Sequence, residues 1–395
     1  MNFRSSLGFI LGLVTLARLP AAEITADRMA ILNSEQGKVT VFEDNVTISD
    51  GGTRISAGKV EFYDQQNLAV IHGGNVSITT PNASIQAESA EYQLGAQRMF
   101  LYRNVLIRHQ QLQIAGSALV LDNVASLVST DAEVQVRDDQ RGIFVSGQGG
   151  SFDLASEAGM IRGAPRFELL RDSRLVITSD EMYLSSSRNI ARSIGNVRAN
   201  TADALLTADT LDYFIDQDSA LARGLPVLTH QENRVTGEQM AFHFAQGELQ
   251  RIEVRGTSRN CPQLIRALDQ LRGEKINIEL QDGQLATIDI QGDSLQQPEL
   301  HRKSNIVRGD RIEFQFHQGE LEQLRLLGRT SARYFTDDGD RIEVSGSGTE
   351  VRFRDGEAYE VIVHDVPQGR LFRNAGPARL DTLAPRSSGT ATQRK

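Results

Sequence analysis

Residues 237 to 328 carry one pattern of apolar residues and glycines three times. From Gly237, Gly273 and Gly309, apolar residues recur at three alternate positions, and each run is closed by a second glycine. The three runs are Met240, Phe242 and Phe244; Ile276, Ile278 and Leu280; and Ile312, Phe314 and Phe316. The step is about 36 residues, within the range of structural repeats. Alternating apolar residues bounded by glycine turns indicate half-buried strands, so each unit is predicted to contain a two-stranded hairpin.

A shorter version of the same unit fills the chain before Gly237, with a step of about 30 residues. Small residues that end apolar strands mark the steps at Ala26, Ala57, Ala87, Ala115, Gly147, Ser179 and Ala208. A second marker lies between them at Asn45, Asn75, Asn104 and Asn196, each followed by valine, with Pro226 in the equivalent place one unit later. Asparagine tolerates the left-handed backbone of a tight turn. This marker therefore predicts a turn that leads into the next strand.

The repeats predict an all-β, elongated array, because a strand pair must bury its apolar face against its neighbours. Two geometries satisfy this: an antiparallel, jelly-roll-like arrangement of two facing sheets, or a parallel β-solenoid with one unit per rung. At the usual strand spacing, about 33 strands in two sheets would extend about 79 Å, and eleven single rungs about 53 Å. The hairpins around Gly247, Gly283 and Gly319 favour the antiparallel form.

One segment departs from strand periodicity. Between Cys261 and Arg272, four apolar residues have the spacing of one helix face: Leu264, Ile265, Leu268 and Leu271. We therefore expect residues 258–272 to be an insertion or a short helix. It separates the repeats of about 30 residues, predicted over 23–257, from those of about 36 residues over 273–373.

The two ends of the chain have different compositions from the repeats. Residues 1–22 have the pattern of a secretory signal, with Arg4 before an apolar run that is too short to span a bilayer. Export is expected, with an uncleaved amino-terminal anchor as the alternative. Residues 374–395 are rich in Pro, Gly, Ser, Thr and Arg without apolar periodicity, and a disordered tail is predicted there.

Composition and motifs exclude several functions. The net charge of -9 argues against binding to nucleic acid, and the single Cys261 excludes an internal disulfide or a cysteine-rich metal site. The sequence contains no hydrolase, nucleotide-binding or metalloprotease motif. Acidic residues beside the small markers, such as Asp27, Glu88 and Asp180, are interpreted as turn caps. We therefore expect a protein without catalytic residues, metal or cofactor; a carbohydrate-processing enzyme would need clustered carboxylates on one rung.

The function of the protein depends on what covers the apolar faces of the strands. The nine residues of the three runs either fill a dry core or line a trough between splayed sheets that accepts acyl chains, and both interpretations fit the pattern. Replacing Phe314 with a charged residue separates them. In a trough the change abolishes lipid capture at modest cost in stability, whereas in a filled core it costs several kcal/mol.

Taken together, the markers resemble those of a known family. A signal peptide, an Ala-Asp or Ala-Glu strand end and the turns Gly74-Asn75-Val76 and Gly195-Asn196-Val197 are similar to those of the OstA-like family of lipopolysaccharide-transport proteins. The resemblance covers Glu23 to Thr257, and Gly273 to Leu371 more loosely. Two departures stand out: the chain is much longer than one family domain, and its last units have the longer step.

The resemblance implies a periplasmic protein with a jelly-roll-like trough. Such a trough would shield the acyl chains of lipopolysaccharide, or a similar amphipathic lipid, on the way to the outer membrane. It also implies other OstA-like transport proteins as partners, and head-to-tail self-association. The alternative from another class is a structural or adhesive exported β-solenoid with a filled core.

Overall fold

The computed structural model describes residues 23–373 except positions 35–36, 51, 170–171, 246–247, 268, 293–295, 336–339, 356 and 365–366. The signal peptide predicted over 1–22 and the tail predicted over 374–395 lie outside the described residues, as do Gly247 and Leu268.

The described chain forms 34 strands and one short 3-10 turn at Asp64–Gln66. The first twelve strands are β1 Glu23–Thr25, β2 Arg28–Ser34, β3 Gly37–Asp50, β4 Thr53–Tyr63, β5 Leu68–His72, β6 Val76–Thr79, β7 Ala83–Ala87, β8 Ser89–Gln93, β9 Arg98–His109, β10 Leu112–Asp122, β11 Leu127–Asp138 and β12 Ile143–Asp153. The next eleven are β13 Ala158–Arg162, β14 Arg166–Leu169, β15 Asp172–Thr178, β16 Glu181–Ser185, β17 Ile190–Asn200, β18 Ala204–Phe214, β19 Ser219–Arg223, β20 Val227–His230, β21 Asn233–Thr236, β22 Gln239–Ala245 and β23 Glu248–Arg255. The last eleven are β24 Gln263–Arg266, β25 Asp269–Arg272, β26 Lys275–Gln281, β27 Gln284–Gln291, β28 Glu299–Arg302, β29 Asn305–Arg308, β30 Arg311–His317, β31 Glu320–Phe335, β32 Arg341–Arg354, β33 Glu357–His364 and β34 Gln368–Phe372.

Every pair formed between the described strands is antiparallel, so the predicted all-β antiparallel fold is confirmed and the parallel solenoid is wrong. Neighbours in space are close in sequence, which makes the fold an elongated array. One continuous cluster of buried apolar side chains, from Val46 to Leu326, runs through it.

The array consists of two sheets that share their longest strands. In β9, for example, Arg98 to Tyr102 pairs with β8, and Leu106 to His109 pairs with β7. The strands β3, β4, β9, β10, β11, β12, β17, β18, β31 and β32 divide in this way. We call the sheet that contains β8 and β22 sheet 1, and the sheet that contains β7 and β24 sheet 2. The edge where the sheets join is the seam, and the opposite edge, where their hairpin turns lie, is the mouth.

The asparagine markers form part of the seam. Asn45, Asn104 and Asn196 have φ angles of 52°, 49° and 46°, in the left-handed region. Their amides donate hydrogen bonds to the acidic markers: Asn45 to Asp27 at 2.8 Å, Asn104 to Glu88 at 2.6 Å and Asn196 to Asp180 at 2.8 Å. At Asn75, by contrast, the preceding Gly73 and Gly74 take the positive φ angles. Hydrogen bonding between the two markers therefore stabilises the bend from one sheet into the other.

The longer step of the later units originates at the seam, in residues 256–262 and in the stretch after β27, of which residues 292 and 296–298 are described. In both places the described backbone lies close to the glycine that follows the sheet 1 strand. A Cβ on Gly256 would lie 2.1 Å from the carbonyl oxygen of Asn260, and one on Gly292 would lie 2.3 Å from that of Gln296. Only glycine permits this approach of backbone to backbone. The extra residues therefore lie at the seam and leave the hairpins of the repeat intact.

The helix expected between Cys261 and Arg272 is wrong, because this segment forms the hairpin of β24 and β25. Leu264 and Leu271 are paired across the hairpin and both are buried. Ile265 pairs with Gln270 on the other face. Residues seven apart share a helix face, but they also face each other across a hairpin with a two-residue turn. The apolar spacing was therefore consistent with both structures.

Candidate functional site

The nine candidate residues lie in three rows at increasing distance from the seam. The first row is Met240, Ile276 and Ile312, each 0% exposed. The second is Phe242, Ile278 and Phe314, at 6%, 7% and 6%. The third is Phe244, Leu280 and Phe316, which are partly buried against the core. Exposure of the apolar face thus rises from the seam to the mouth.

The third row is continued by the facing residues of the neighbouring strands. Phe244 pairs with Leu249, Leu280 with Leu285, and Phe316 with Leu321, and all six are partly buried. We call these six residues the mouth row. A register shift precedes each pair, between residues 243 and 244, 279 and 280, and 315 and 316. Such bulges bend a strand, and here all three occur at the same depth.

Sheet 2 is narrower than sheet 1 in this part of the array. Its strands β20, β21, β24, β25, β28 and β29 have four residues each. Strands β22, β23, β26, β27 and β30 of sheet 1 have seven or eight. The buried apolar residues of the short strands, such as Leu264 and Leu300, can cover only the rows near the seam. The mouth row is therefore left partly uncovered.

Before Phe244, backbone hydrogen bonds connect the successive hairpin turns of sheet 1 along the mouth. They run from Leu94 N to Asn67 O (2.8 Å), Asn123 N to Gln97 O (3.1 Å), Leu154 N to Ser126 O (2.9 Å), Ser186 N to Glu157 O (2.9 Å), Ile215 N to Asn189 O (2.9 Å) and Phe244 N to Asp218 O (2.9 Å). Within the described chain, the bond of Phe244 is the last of this series. The series stops where the mouth row begins.

A side chain also ties the two sheets together in the amino-terminal part. Arg141 lies in the sheet 2 turn between β11 and β12, while Ser186 and Asn189 lie in the sheet 1 turn between β16 and β17. The Arg141 guanidinium donates to Asn189 Oδ1 at 2.8 Å and to the Ser186 carbonyl oxygen at 3.3 Å. It also donates to Asp138 Oδ2 at 2.8 Å. Asp138, Arg141 and Ser186 line a cavity of only about 30 Å³, so the hairpin turns of the two sheets meet at this point.

A second arginine lies at the mouth, but with a different partner. Arg266 follows Leu264 by two residues in β24 and therefore faces inward from sheet 2. Its guanidinium carbon is 5.0 Å from the centre of the Phe316 ring, a cation–π contact across the mouth. Neither arginine is predicted from the sequence, because apolar periodicity gives no information on charged residues. The inward position of Arg266 could have been found by continuing the alternation of Leu264.

Neither a metal site nor a membrane helix is found in the part of the chain that the structure describes. No group of three or more His, Cys, Asp or Glu side chains there could hold a metal ion. No helix there is long and apolar enough to cross a membrane. Cys261 lies in a seam loop, where its thiol donates to the Gly273 carbonyl oxygen at 3.1 Å.

These features define a class of protein: an elongated antiparallel array of two sheets that join at one edge and enclose an apolar interior. Comparison with known proteins gives a more specific relationship. Residues 23–126 match the family described as "LptA/(LptD N-terminal domain) LPS transport protein". The resemblance predicted from the sequence is thereby confirmed for about a quarter of the chain.

A solved structure similar to this chain is LptH, described as the LptA homologous periplasmic component of the lipopolysaccharide transport device from Pseudomonas aeruginosa. The two chains are 14% identical, and the match covers 31% of this chain and 94% of that one, with a TM-score of 0.28. No curated protein matches the chain.

Proposed function

We propose that this protein is a non-enzymatic periplasmic carrier that shields the acyl chains of lipopolysaccharide, or of a similar amphipathic lipid, during transport to the outer membrane. The main support for this proposal is the mouth row, a strip of apolar residues that packs on the core and is partly exposed. The family match over residues 23–126 supports the same function.

The mouth row has the chemistry that an acyl chain requires. Its six residues extend over three successive hairpins, from Phe244 to Leu321. Apolar surface in water is unfavourable, and burial of each methylene of a lipid is worth about 0.8 kcal/mol. A chain lying along the strip removes both its own surface and that of the strip from water. The rows nearer the seam are filled with protein side chains, so they support the strip from beneath.

The alternative of a structural protein with a filled core rests on those inner rows. Six of the nine candidates are at most 7% exposed, as a packed core requires. The third row argues against a filled core, because in such a core sheet 2 would cover all three rows of sheet 1. The open strip therefore favours lipid binding.

The test is a photo-crosslinker placed at Phe316, with Gln315 as the matched control. The two residues are neighbours on β30, but Gln315 faces the outer surface of sheet 1 beside Thr287. Crosslinking to lipopolysaccharide is expected from position 316 and is expected to be absent from position 315. The proposal is wrong if lipid is captured equally from both positions or from neither, provided that both variants melt like the parent.

The ends of the array fit the partners implied by the resemblance. Met29 in β2 is exposed although it pairs with Phe42, and Val361 in β33 is exposed although it pairs with Val351. Both lie on the last described strand at their end of sheet 1. A second copy, or another OstA-like protein, would extend the sheet and cover them.

We expect the mature protein to elongate with concentration, and Met29→Glu together with Val361→Glu to suppress this. A charge on each end face would remain exposed in the monomer but be buried in the stack. Sedimentation velocity over a range of concentrations measures the effect. Val124→Glu, at an exposed hairpin turn, is the control and should leave elongation unchanged. Elongation of the double variant equal to that of the parent would exclude these end faces as the interface.

A further inference from the structure

The two sides of the mouth carry opposite charge near the mouth row. On sheet 2, β24 ends at the inward-facing Arg266, β28 ends at the exposed Arg302, and the turn after β28 carries exposed Lys303. On sheet 1, exposed Glu248, Asp282 and Glu320 lie in or directly after the hairpin turns. We call the first group the basic lip and the second the acidic lip. A bound anion is attracted to one side of the mouth and repelled from the other.

Within the basic lip, Arg266 and Arg302 have different partners. The guanidinium of Arg302 is bound by both carboxylate oxygens of Asp269, at 2.6 and 2.7 Å, and this hydrogen bonding raises its pKa above the usual value. Asp269 also lies opposite Arg266 across the hairpin, but both of its oxygens bind Arg302, and in the described part of the chain no carboxylate forms an ion pair with Arg266. Its partner is the face of Phe316. Arg141, at the corresponding place in the closed part of the mouth, is instead paired with Asp138.

We propose that Arg266 binds the phosphate headgroup of an amphipathic lipid whose acyl chains lie on the mouth row. This inference rests on the proposed function and specifies the ligand further. A guanidinium is planar and presents paired N–H donors that match two phosphate oxygens. Contact with Phe316 places those donors directly beside the apolar strip. Phosphate and acyl chain can therefore be bound at adjacent places.

The acidic lip gives the bound lipid one orientation. A phosphate placed near Asp282 or Glu320 would meet charge of its own sign, whereas the same phosphate on the basic lip meets Arg266 and Lys303. The acyl chains must lie on sheet 1, because the mouth row belongs to that sheet. The lipid thus spans the mouth, with its apolar part on sheet 1 and its headgroup on sheet 2.

The decisive variant is Arg266→Gln, which keeps a polar side chain but removes the charge. Arg259→Gln is the matched control, since Arg259 is exposed in a seam loop on the opposite edge. Affinities are measured for three probes: a phosphorylated glycolipid, the same glycolipid with its phosphates removed, and inorganic phosphate alone. Thermal melts of all proteins exclude unfolding as the cause of a lost affinity.

We expect only Arg266→Gln to lose the preference for the phosphorylated over the dephosphorylated glycolipid. Arg266→Gln should bind the phosphorylated glycolipid about tenfold more weakly than the parent, equivalent to about 1.4 kcal/mol, and the dephosphorylated glycolipid unchanged. Arg259→Gln should behave as the parent, and Arg266→Lys should retain part of the preference.

Other outcomes separate this inference from the proposed function. If Arg266→Gln keeps the parent's phosphate preference, the headgroup site is wrong although lipid carriage stands. If the parent binds inorganic phosphate as tightly as the phosphorylated glycolipid, Arg266 is a free-anion site and the lipid assignment is overturned. If the parent binds neither glycolipid, the proposed function fails and this inference fails with it.

Discussion

Replacing Phe314 with aspartate is expected to unfold the units around β30, whereas the same change at Phe316 should leave the protein folded. Phe314 is 6% exposed and pairs with Ile288 and Leu324, which are themselves buried. An aspartate there would be an unpaired charge in an apolar interior. Such a substitution costs several kcal/mol, so a large fall in the melting temperature is expected. At Phe314 this is the outcome of a filled core, and only the third row, at Phe316, keeps the outcome expected of a trough.

Phe316 lies two residues further along the same strand, in the mouth row. It is partly exposed, and the guanidinium of Arg266 lies over its ring. An aspartate at this position can reach water and can pair with that arginine, so the cost in stability should be small. Lipid capture should be lost, because a charge then interrupts the apolar strip and neutralises Arg266.

The measurement is a thermal melt and a lipid crosslinking assay on both variants, with Phe314→Leu and Phe316→Leu as controls for lost ring volume. If both aspartate variants unfold to the same extent, the mouth row is part of an ordinary core. If Phe314→Asp melts like the parent, the interior is hydrated over its full depth and the inner rows are not packed.

The sequence predicts the strands and turns of this fold because each is a local property. Alternating apolar residues mark one face of a strand regardless of what covers it. The Asp282-Gly283 turn has φ angles of 51° and 73°, and Gln318-Gly319 has 50° and 81°, as expected of two-residue hairpin turns. Asn196 and Asp180 are both markers in the sequence, but the hydrogen bond between them is seen only in the structure.

The depth of the three rows could not be predicted in this way. Met240, Phe242 and Phe244 give the same signal, yet the first two are buried and the third lines the mouth. Their burial depends on the width of sheet 2, which residues far along the chain determine. The hairpin of β24 and β25 is part of that sheet, and its apolar spacing equally predicts a helix. Recognising its four-residue strands would have indicated a sheet too narrow to cover Phe244.

Arg141 ties the two sides of the mouth together, and Arg141→Ala is expected to lower the stability of the fold strongly. Asp138, its partner in the same turn, is 4% exposed. Its Oδ2 accepts from the Arg141 guanidinium at 2.8 Å and its Oδ1 accepts from the Arg141 backbone N–H at 2.9 Å. Removing the guanidinium leaves a buried carboxylate without its cation, which costs about 3 to 5 kcal/mol.

Arg137→Ala is the matched control. Arg137 lies four residues before Arg141 in the same hairpin and forms an exposed ion pair with Asp139. Exposed pairs contribute about 0 to 1 kcal/mol, so this variant should melt close to the parent. The double variant Asp138→Ala with Arg141→Ala should recover much of the loss, since no buried charge then remains. Equal melting of the single and double variants would show that Asp138 does not need the guanidinium.

Amide hydrogen exchange locates the second consequence of Arg141→Ala. The guanidinium binds the carbonyl oxygen of Ser186 and the side chain of Asn189, so its loss should free the sheet 1 turn at residues 186–189. Faster exchange in this turn, with little change at the seam residue Asn196, would mean that the mouth opens while the seam holds. Uniform acceleration over both edges would show instead that the whole unit unfolds and that Arg141 does not act as a local closure of the mouth.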